Sequence, residues 1–183
     1  TYRETLDQQE TAHQKDEDDL TGIEEELGTV FAELKSAATV LTKARKKIAK
    51  KLAKETQAHL ADLGMPNALL ETGLEETPIG DDPLESDVPS FGADRMELML
   101  AANPGEPARP LRKVASGGEL SRTMLALKTV LAEHDAVGTL IFDEIDSNVG
   151  GRLGDVLGEK LAALGRTHQV VCVTHLPQVA SYA

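Results

Sequence analysis

The chain has 183 residues, enough for one ordinary domain or for a small domain joined to an extended element. A composition of 40% hydrophobic and 27% charged residues argues against a disordered chain, and a formal charge of -12 argues against nucleic-acid binding through bulk charge. Aromatic residues are only 3% with no Trp, which suits helices built on Leu, Ala and Val. The lone Cys172 has no partner for an intrachain disulfide, so a reducing compartment and a cytoplasmic location are expected. No apolar stretch is long enough to cross a membrane, no signal peptide opens the chain, and a membrane partner is not expected. The start at Thr1-Tyr2-Arg3, without Met and in mid-pattern, reads as an excised or processed piece of something longer.

Residues 1–63 predict a helix with a seven-residue beat. Leu6, His13, Leu20, Leu27, Leu34, Leu41 and Ile48 share one heptad position, and Ile23, Val30, Ala37 and Ala44 follow the middle members by three. An apolar seam this long must stay against a partner helix, as in a coiled coil; an amphipathic helix packed on its own domain is the plainer alternative. Gln9 and Asp16 weaken the early seam. Gly22 and Gly28 each cost about 1 kcal/mol relative to Ala and mark where the helix could break. Gly64-Met65-Pro66 ends it, with Gly suited to a left-handed cap and Pro unable to continue.

A short strand is predicted within residues 67–76, an acidic loop over 79–90, and a strand over 96–101 with Met96, Leu98 and Leu100 on one face. A Pro- and Gly-rich loop covers 103–110. A helix over 118–134, a strand over 139–142, a helix over 151–164, a strand over 169–173 and a helix starting near Leu176 follow. Strands and helices alternating in this way predict an α/β fold with parallel strands.

Three constellations carry potential chemistry. Ser116-Gly117-Gly118-Glu119 lies where a loop enters a helix, so free N–H groups, the helix dipole and a hydroxyl could meet a terminal phosphate. A plain N-cap and turn would look the same. The apolar run Thr139–Phe142 ends in Asp143-Glu144, at the strand edge where α/β folds bind ligands. One carboxylate could hold Mg2+ through water and the other could polarise an attacking water, or the pair could simply end a strand. Val170–Val173 leads into Thr174-His175, where His175 could contact a γ-phosphate or serve structure alone. Asp146 by itself is a turn residue.

The order of these motifs is that of the signature loop, Walker B strand, D-loop and switch-histidine strand of ABC-type ATPases. Within that class the chain resembles the RecN family of bacterial SMC-like recombination and repair proteins. The resemblance rests on Leu63-Gly64-Met65-Pro66, Ala93-Asp94-Arg95, residues 102–107, 115–122 and 142–146, and Thr174-His175-Leu176-Pro177-Gln178-Val179-Ala180. It implies a coiled-coil arm over 1–63 returning to the C-terminal lobe of an ATPase head over 64–183. It also implies ATP and Mg2+ as cofactors, a head homodimer, and cytoplasmic, nucleoid-associated work on DNA double-strand breaks. By position, Asp143 would support Mg2+, Glu144 would be the base or water-orienter, and His175 would contact the γ-phosphate. Asp146 would lie in the D-loop at the dimer interface, while Ser116, Gly117, Gly118 and Glu119 would reach ATP on the opposite head.

Asn148, in Ser147-Asn148-Val149-Gly150-Gly151, departs from the family's pattern and leaves the D-loop contacts in doubt. No Gly-x-x-x-x-Gly-Lys-[Ser/Thr] occurs in the sequence, so the resemblance implies a separate N-terminal Walker A lobe as partner and no ATP turnover by this chain alone. Lys43, Arg45, Lys46, Lys47, Lys50, Lys51 and Lys54 form a basic stretch that could track a DNA backbone, be solvated, or pair with an acidic arm. Competing functions are an ABC subunit powering transport and a purely structural coiled-coil module.

Overall fold

The computed structural model describes residues 2–86, 88–114 and 116–183, with the side chains of residues 4–9 outside the description. Leu6, Gln9 and Ala115 therefore fall, as side chains or as residues, outside the described set. The elements run α1 (Tyr2–Asp62), β1 (Leu69–Glu76), β2 (Asp94–Ala101), β3 (Arg109–Pro110), α2 (Gly117–Leu131), β4 (Thr139–Phe142), α3 (Arg152–Leu164), β5 (Gln169–Cys172) and α4 (Pro177–Ala180). Two compact units divide the chain, Thr1–Arg45 with Glu76–Arg95 and Lys46–Glu75 with Met96–Ala183.

α1 passes through Gly22 and Gly28 without breaking. A Cβ at either position would have no neighbour within 4 Å, so both glycines face open space. The costly step in helix formation is nucleation, and two interior glycines only weaken propagation in a helix of this length. In the first unit the seam residues Leu20, Ile23, Val30 and Leu34 are exposed, so this part of the stripe is left uncovered by the described residues. The same unit holds Asp94, buried beneath α1, where it accepts from the Thr42 hydroxyl and pairs with Arg45 Nη1 at 2.9 Å. Arg45 also donates to the Phe91 carbonyl at 2.7 Å.

The second unit contains the core. Leu60, Leu63, Leu70, Leu100, Leu125, Leu140, Phe142, Ile145 and Leu157 meet there. α1 ends in a paired turn: Met65 N donates to Leu60 O at 2.9 Å and Gly64 N to Ala61 O at 3.3 Å, with Gly64 at φ +80°. That is the glycine-capped ending read from the sequence. A Cβ on Gly64 would also lie 2.6 Å from Leu153 Cδ2, so the cap tucks against the first turn of α3. Lys160 of α3 donates to His59 Nδ1 and to Asp62, each at 2.9 Å, and secures the end of α1.

β4 and β5 pair in parallel with Leu140 opposite Val170 and Phe142 opposite Cys172. α3 makes the crossover between them, as parallel strands require. β1, β2 and β3 form a second sheet in that order, and β3 sets Pro110 opposite Met99 and Arg109 opposite Leu100 in antiparallel pairing. The loop expected over 103–110 thus ends in a short paired strand. β2 is less regular than its alternation suggested, because Met96 is 45% exposed while Leu100 is 3% exposed, and only its C-terminal end reaches the core.

Replacing Gly22 and Gly28 by Ala is expected to raise helix stability by roughly 0.5–1 kcal/mol each. Thermal loss of helical circular dichroism measures this, and a lower melting temperature would contradict a continuous α1.

Candidate functional site

Ser116 is extended in backbone and its Oγ accepts from Glu119 N at 3.4 Å, so it caps α2 as an ordinary N-cap does. The two glycines that follow make room for contact. A Cβ on Gly117 would collide with the Glu144 carboxylate. A Cβ on Gly118 would stand 2.9 Å from Ser147 Cβ, 3.1 Å from Glu144 O and 3.2 Å from Arg122 Nη1. Close approach of backbone to the loop after β4, rather than left-handed φ, is what Gly118 permits.

β4 delivers its two carboxylates to the sheet's C-terminal edge. Asp143 and Glu144 are both exposed, and Asp143 Oδ1 accepts from Glu144 N at 2.8 Å. Glu144 adopts φ +56°, a left-handed conformation that an L residue takes only when its surroundings hold it there. Ser147 N donates to Glu144 O at 3.0 Å, and Val149 N donates to Asp146 O at 3.0 Å. Asn148, the residue that departs from the family's pattern, sits at φ +60°. Asn tolerates that region better than most residues, which explains its presence.

Asp146 turns inward. It is 3% exposed, and its Oδ2 accepts from Thr174 Oγ1 at 2.5 Å and from His175 N at 2.9 Å, with His175 Nδ1 at 3.1 Å. Burial acts to raise the Asp146 carboxyl, but the Thr174 hydroxyl, the His175 amide and the His175 ring outweigh it and hold the carboxyl below its usual range. The His175 side chain is 74% exposed, leaving its Nε2 edge to solvent. Burial, then the charges of Asp146 and Asp143, push the Cys172 thiol up, which disfavours a reactive thiolate there.

The chain therefore joins the candidate residues in two groups around one loop. Gly117, Gly118 and Ser116 meet it from α2, and Thr174 and His175 meet it from the end of β5. Three side chains that were not assigned roles in the sequence hold it: Ser121 donates to Asp143 O at 2.7 Å, Arg122 to Ile145 O at 3.3 Å and Ser147 O at 3.0 Å, and Thr174 to Asp146. Ser121 and Arg122 lie in the same motif as the glycines, but their carbonyl acceptors are over twenty residues away. Among the described residues no group of three or more His, Cys, Asp or Glu could enclose a metal. The donor set fits Mg2+ only as a partial site, with an exposed carboxylate at Asp143 and the remaining oxygens from water or a phosphate.

The basic stretch is split in use. Arg45 is committed to Asp94 and Phe91 in the first unit. In the second unit Lys47, Lys50, Lys51 and Lys54 are exposed and fall on one face of α1 at intervals of three and four. Lys51 lies 3.8 Å from Glu55, a loose surface pair.

No family model matches the chain. The DNA repair protein RecN of Halalkalibacterium halodurans is 39% identical over 182 residues, covering 100% of this chain and 32% of that protein. RecN of Streptomyces coelicolor is 46% identical over 166 residues, covering 86% of this chain and 28% of that protein. Along its whole length the chain is RecN-like. It spans about a third of the length of these curated relatives. Among solved structures, the Smc head domain with an extended coiled coil from Pyrococcus furiosus, bound to the C-terminal domain of ScpA, matches with a TM-score of 0.50. That match is 18% identical and covers 82% of this chain and 33% of the other. The fold of the RecN-like chain is accordingly similar to that of an Smc head domain with its extended coiled coil. No described helix is long and apolar enough to cross a membrane.

Because folding depresses the Asp146 carboxyl, its ionised form adds stability above the ordinary Asp range, and that contribution fades as pH falls through the lowered value. Asp146→Asn is expected to cost roughly 1–3 kcal/mol near neutrality, with the gap to the parent closing in acid. Urea denaturation of both proteins across pH measures it; a gap that is constant with pH would show that the charge is not what matters.

Proposed function

We propose that this chain provides a returning coiled-coil arm over 1–63 and the C-terminal lobe of an ATPase head over 64–183 in a RecN-like DNA repair protein. Its role would be ATP-dependent head dimerisation and hydrolysis during recombinational repair of double-strand breaks, with DNA bound or bridged. The observation that carries this reading is the convergence of the α2 turn, Asp143-Glu144 and His175 on one loop, in a chain 39–46% identical to RecN proteins.

Asp143 would help hold Mg2+, which supplies charge neutralisation on the phosphates when bound. Glu144, exposed beside it, would orient or deprotonate the attacking water. His175 would present Nε2 to the γ-phosphate, with Asp146 fixing the orientation of its ring. Ser116, Gly117, Gly118 and Glu119 would meet the nucleotide of a second head through the first turn of α2.

Two uncovered surfaces support the further parts this reading requires. On the two-stranded sheet, Ile141 is 72% exposed, and Val171 beside it and Val173 just past β5 are also exposed, although parallel sheets are usually buried on both faces. That face suits a Walker A lobe. The exposed heptad stripe of α1 suits an opposite arm in the same way.

The isolated chain is expected to show no ATP turnover, and the complete protein with its Walker A lobe is expected to turn over ATP and lose that activity with Glu144→Gln. Purified-protein phosphate release measures both; turnover unchanged by Glu144→Gln would remove Glu144 from its role. In the same protein, replacing Lys47, Lys50, Lys51 and Lys54 by Gln is expected to weaken duplex-DNA binding. The log–log salt slope would flatten by up to roughly 3.6 if each of the four lysines meets a phosphate. An unchanged affinity and slope would reject the DNA contact.

A further inference from the structure

Arg122 holds the loop after β4, but the preceding functional roles make no use of it. It lies half-buried on α2, close behind the signature glycines, and donates to two backbone carbonyls, Ile145 O and Ser147 O. Both belong to the loop that carries Glu144. Its Nε is buried without an acceptor. Burying a guanidinium with an unmatched donor costs free energy, which the two carbonyl contacts must offset.

The contacts of Arg122 are one part of a fitted joint. Gly118 has no side chain where a Cβ would crowd Arg122 Nη1, Glu144 O and Ser147 Cβ together. Ser121, the preceding residue, holds Asp143 O at 2.7 Å. The carbonyls of Asp143, Ile145 and Ser147 are therefore all gripped from α2, and Glu144 lies between the first two. Glu144 is also the residue at φ +56°. A left-handed non-glycine residue relaxes unless its flanks are fixed, and here both flanks are fixed by the same two side chains.

We infer that Arg122, assisted by Ser121, is a positioning residue that holds Glu144 in its left-handed, outward-facing conformation and ties that conformation to the signature turn of α2. The inference rests on the proposed hydrolytic role of Glu144. It gives the motif Ser116–Arg122 two functions in one helix turn. The N-terminal residues face a nucleotide, and the residues that follow set the geometry of the acidic pair. A displacement of the start of α2 moves Arg122 and with it the carbonyls on either side of Glu144, so engagement of the signature turn and alignment of Glu144 are one event.

The test uses the complete protein, with its Walker A lobe, and steady-state ATP hydrolysis. Arg122→Met is expected to lower kcat by roughly 10- to 100-fold, the scale of a misplaced reacting group, while KM for ATP stays nearly unchanged. Arg122→Lys is expected to recover part of the loss, because an ammonium can still donate to one carbonyl. Ser121→Ala, the mildest change, is expected to lower kcat a few-fold at an unchanged melting temperature. If Arg122→Met does not fold, Arg122→Lys and Ser121→Ala decide the matter by the same split between kcat and KM. Parental kcat in these variants, or a loss carried entirely by KM, overturns the inference. Glu144→Gln run alongside separates the two levels: if it abolishes turnover while the Arg122 and Ser121 variants match the parent, only the positioning role fails. If Glu144→Gln itself retains turnover, the hydrolytic reading fails and the inference falls with it.

Discussion

The arrangement of the site depends on one buried carboxylate. Asp146 is removed from water at the edge of a small parallel sheet, where an ionised group with no partners would cost several kcal/mol. Two donors on its Oδ2 and the facing ring of His175 remove that penalty. All three come from Thr174-His175, the first polar residues past β5. The result is a cross-link between the ends of two strands that share only four paired positions. Without it, His175 would sit on a short strand end with nothing to orient its ring.

The opposite side of the same loop is closed by α2. Gly117 and Gly118 allow the helix to approach until backbone meets backbone, and Ser121 and Arg122 then satisfy carbonyls that the turn leaves unpaired. Buried carbonyls need donors, and those donors come from one helix rather than from scattered loops. The loop is thus walled by α2 on one side and by β5 on the other. The strained φ at Glu144 persists between these walls because neither can shift without losing hydrogen bonds.

Much of this was legible in the sequence, because local patterns determine local structure. The heptad beat, the apolar strands ending in polar pairs and the glycine cap at Gly64 each carry their own short-range cause, and the elements appear where those causes place them. What could not be read depends on tertiary placement. That Asp146 faces inward requires knowing that Thr174 lies 28 residues away and in reach. That Arg45 belongs to Asp94 rather than to a solvent-facing basic stripe requires the approach of a segment 49 residues further on. The glycines of α1 misled for the opposite reason. Their local penalty is real, but it is small against the cooperativity of a helix 61 residues long. Likewise Asn148 looked anomalous until its backbone showed a conformation that Asn tolerates.

The same unit also binds the end of α1 to the element that follows the loop. α3 begins at Arg152, directly after the turn through Asn148 and Gly151. Its Leu153 lies against the Gly64 cap, and its Lys160 reaches His59 and Asp62. Burial, and then the neighbouring Lys160 charge, lower the basicity of the His59 ring, with Asp62 and Glu55 acting against them. A neutral ring can accept the lysine's proton donation where a charged one would repel it. α3 is therefore held to the end of α1 by a steric fit and two hydrogen bonds, while its own N-terminus continues the loop that Asp146 and Arg122 fix. A shift of that loop would have to be absorbed within the few residues between Val149 and Arg152 or passed through α3 to the final turn of α1. Gly150 and Gly151, neither with any neighbour at its Cβ position, are where the chain has room to absorb it. How far such a shift reaches the end of α1 thus rests on how much that short glycine pair yields.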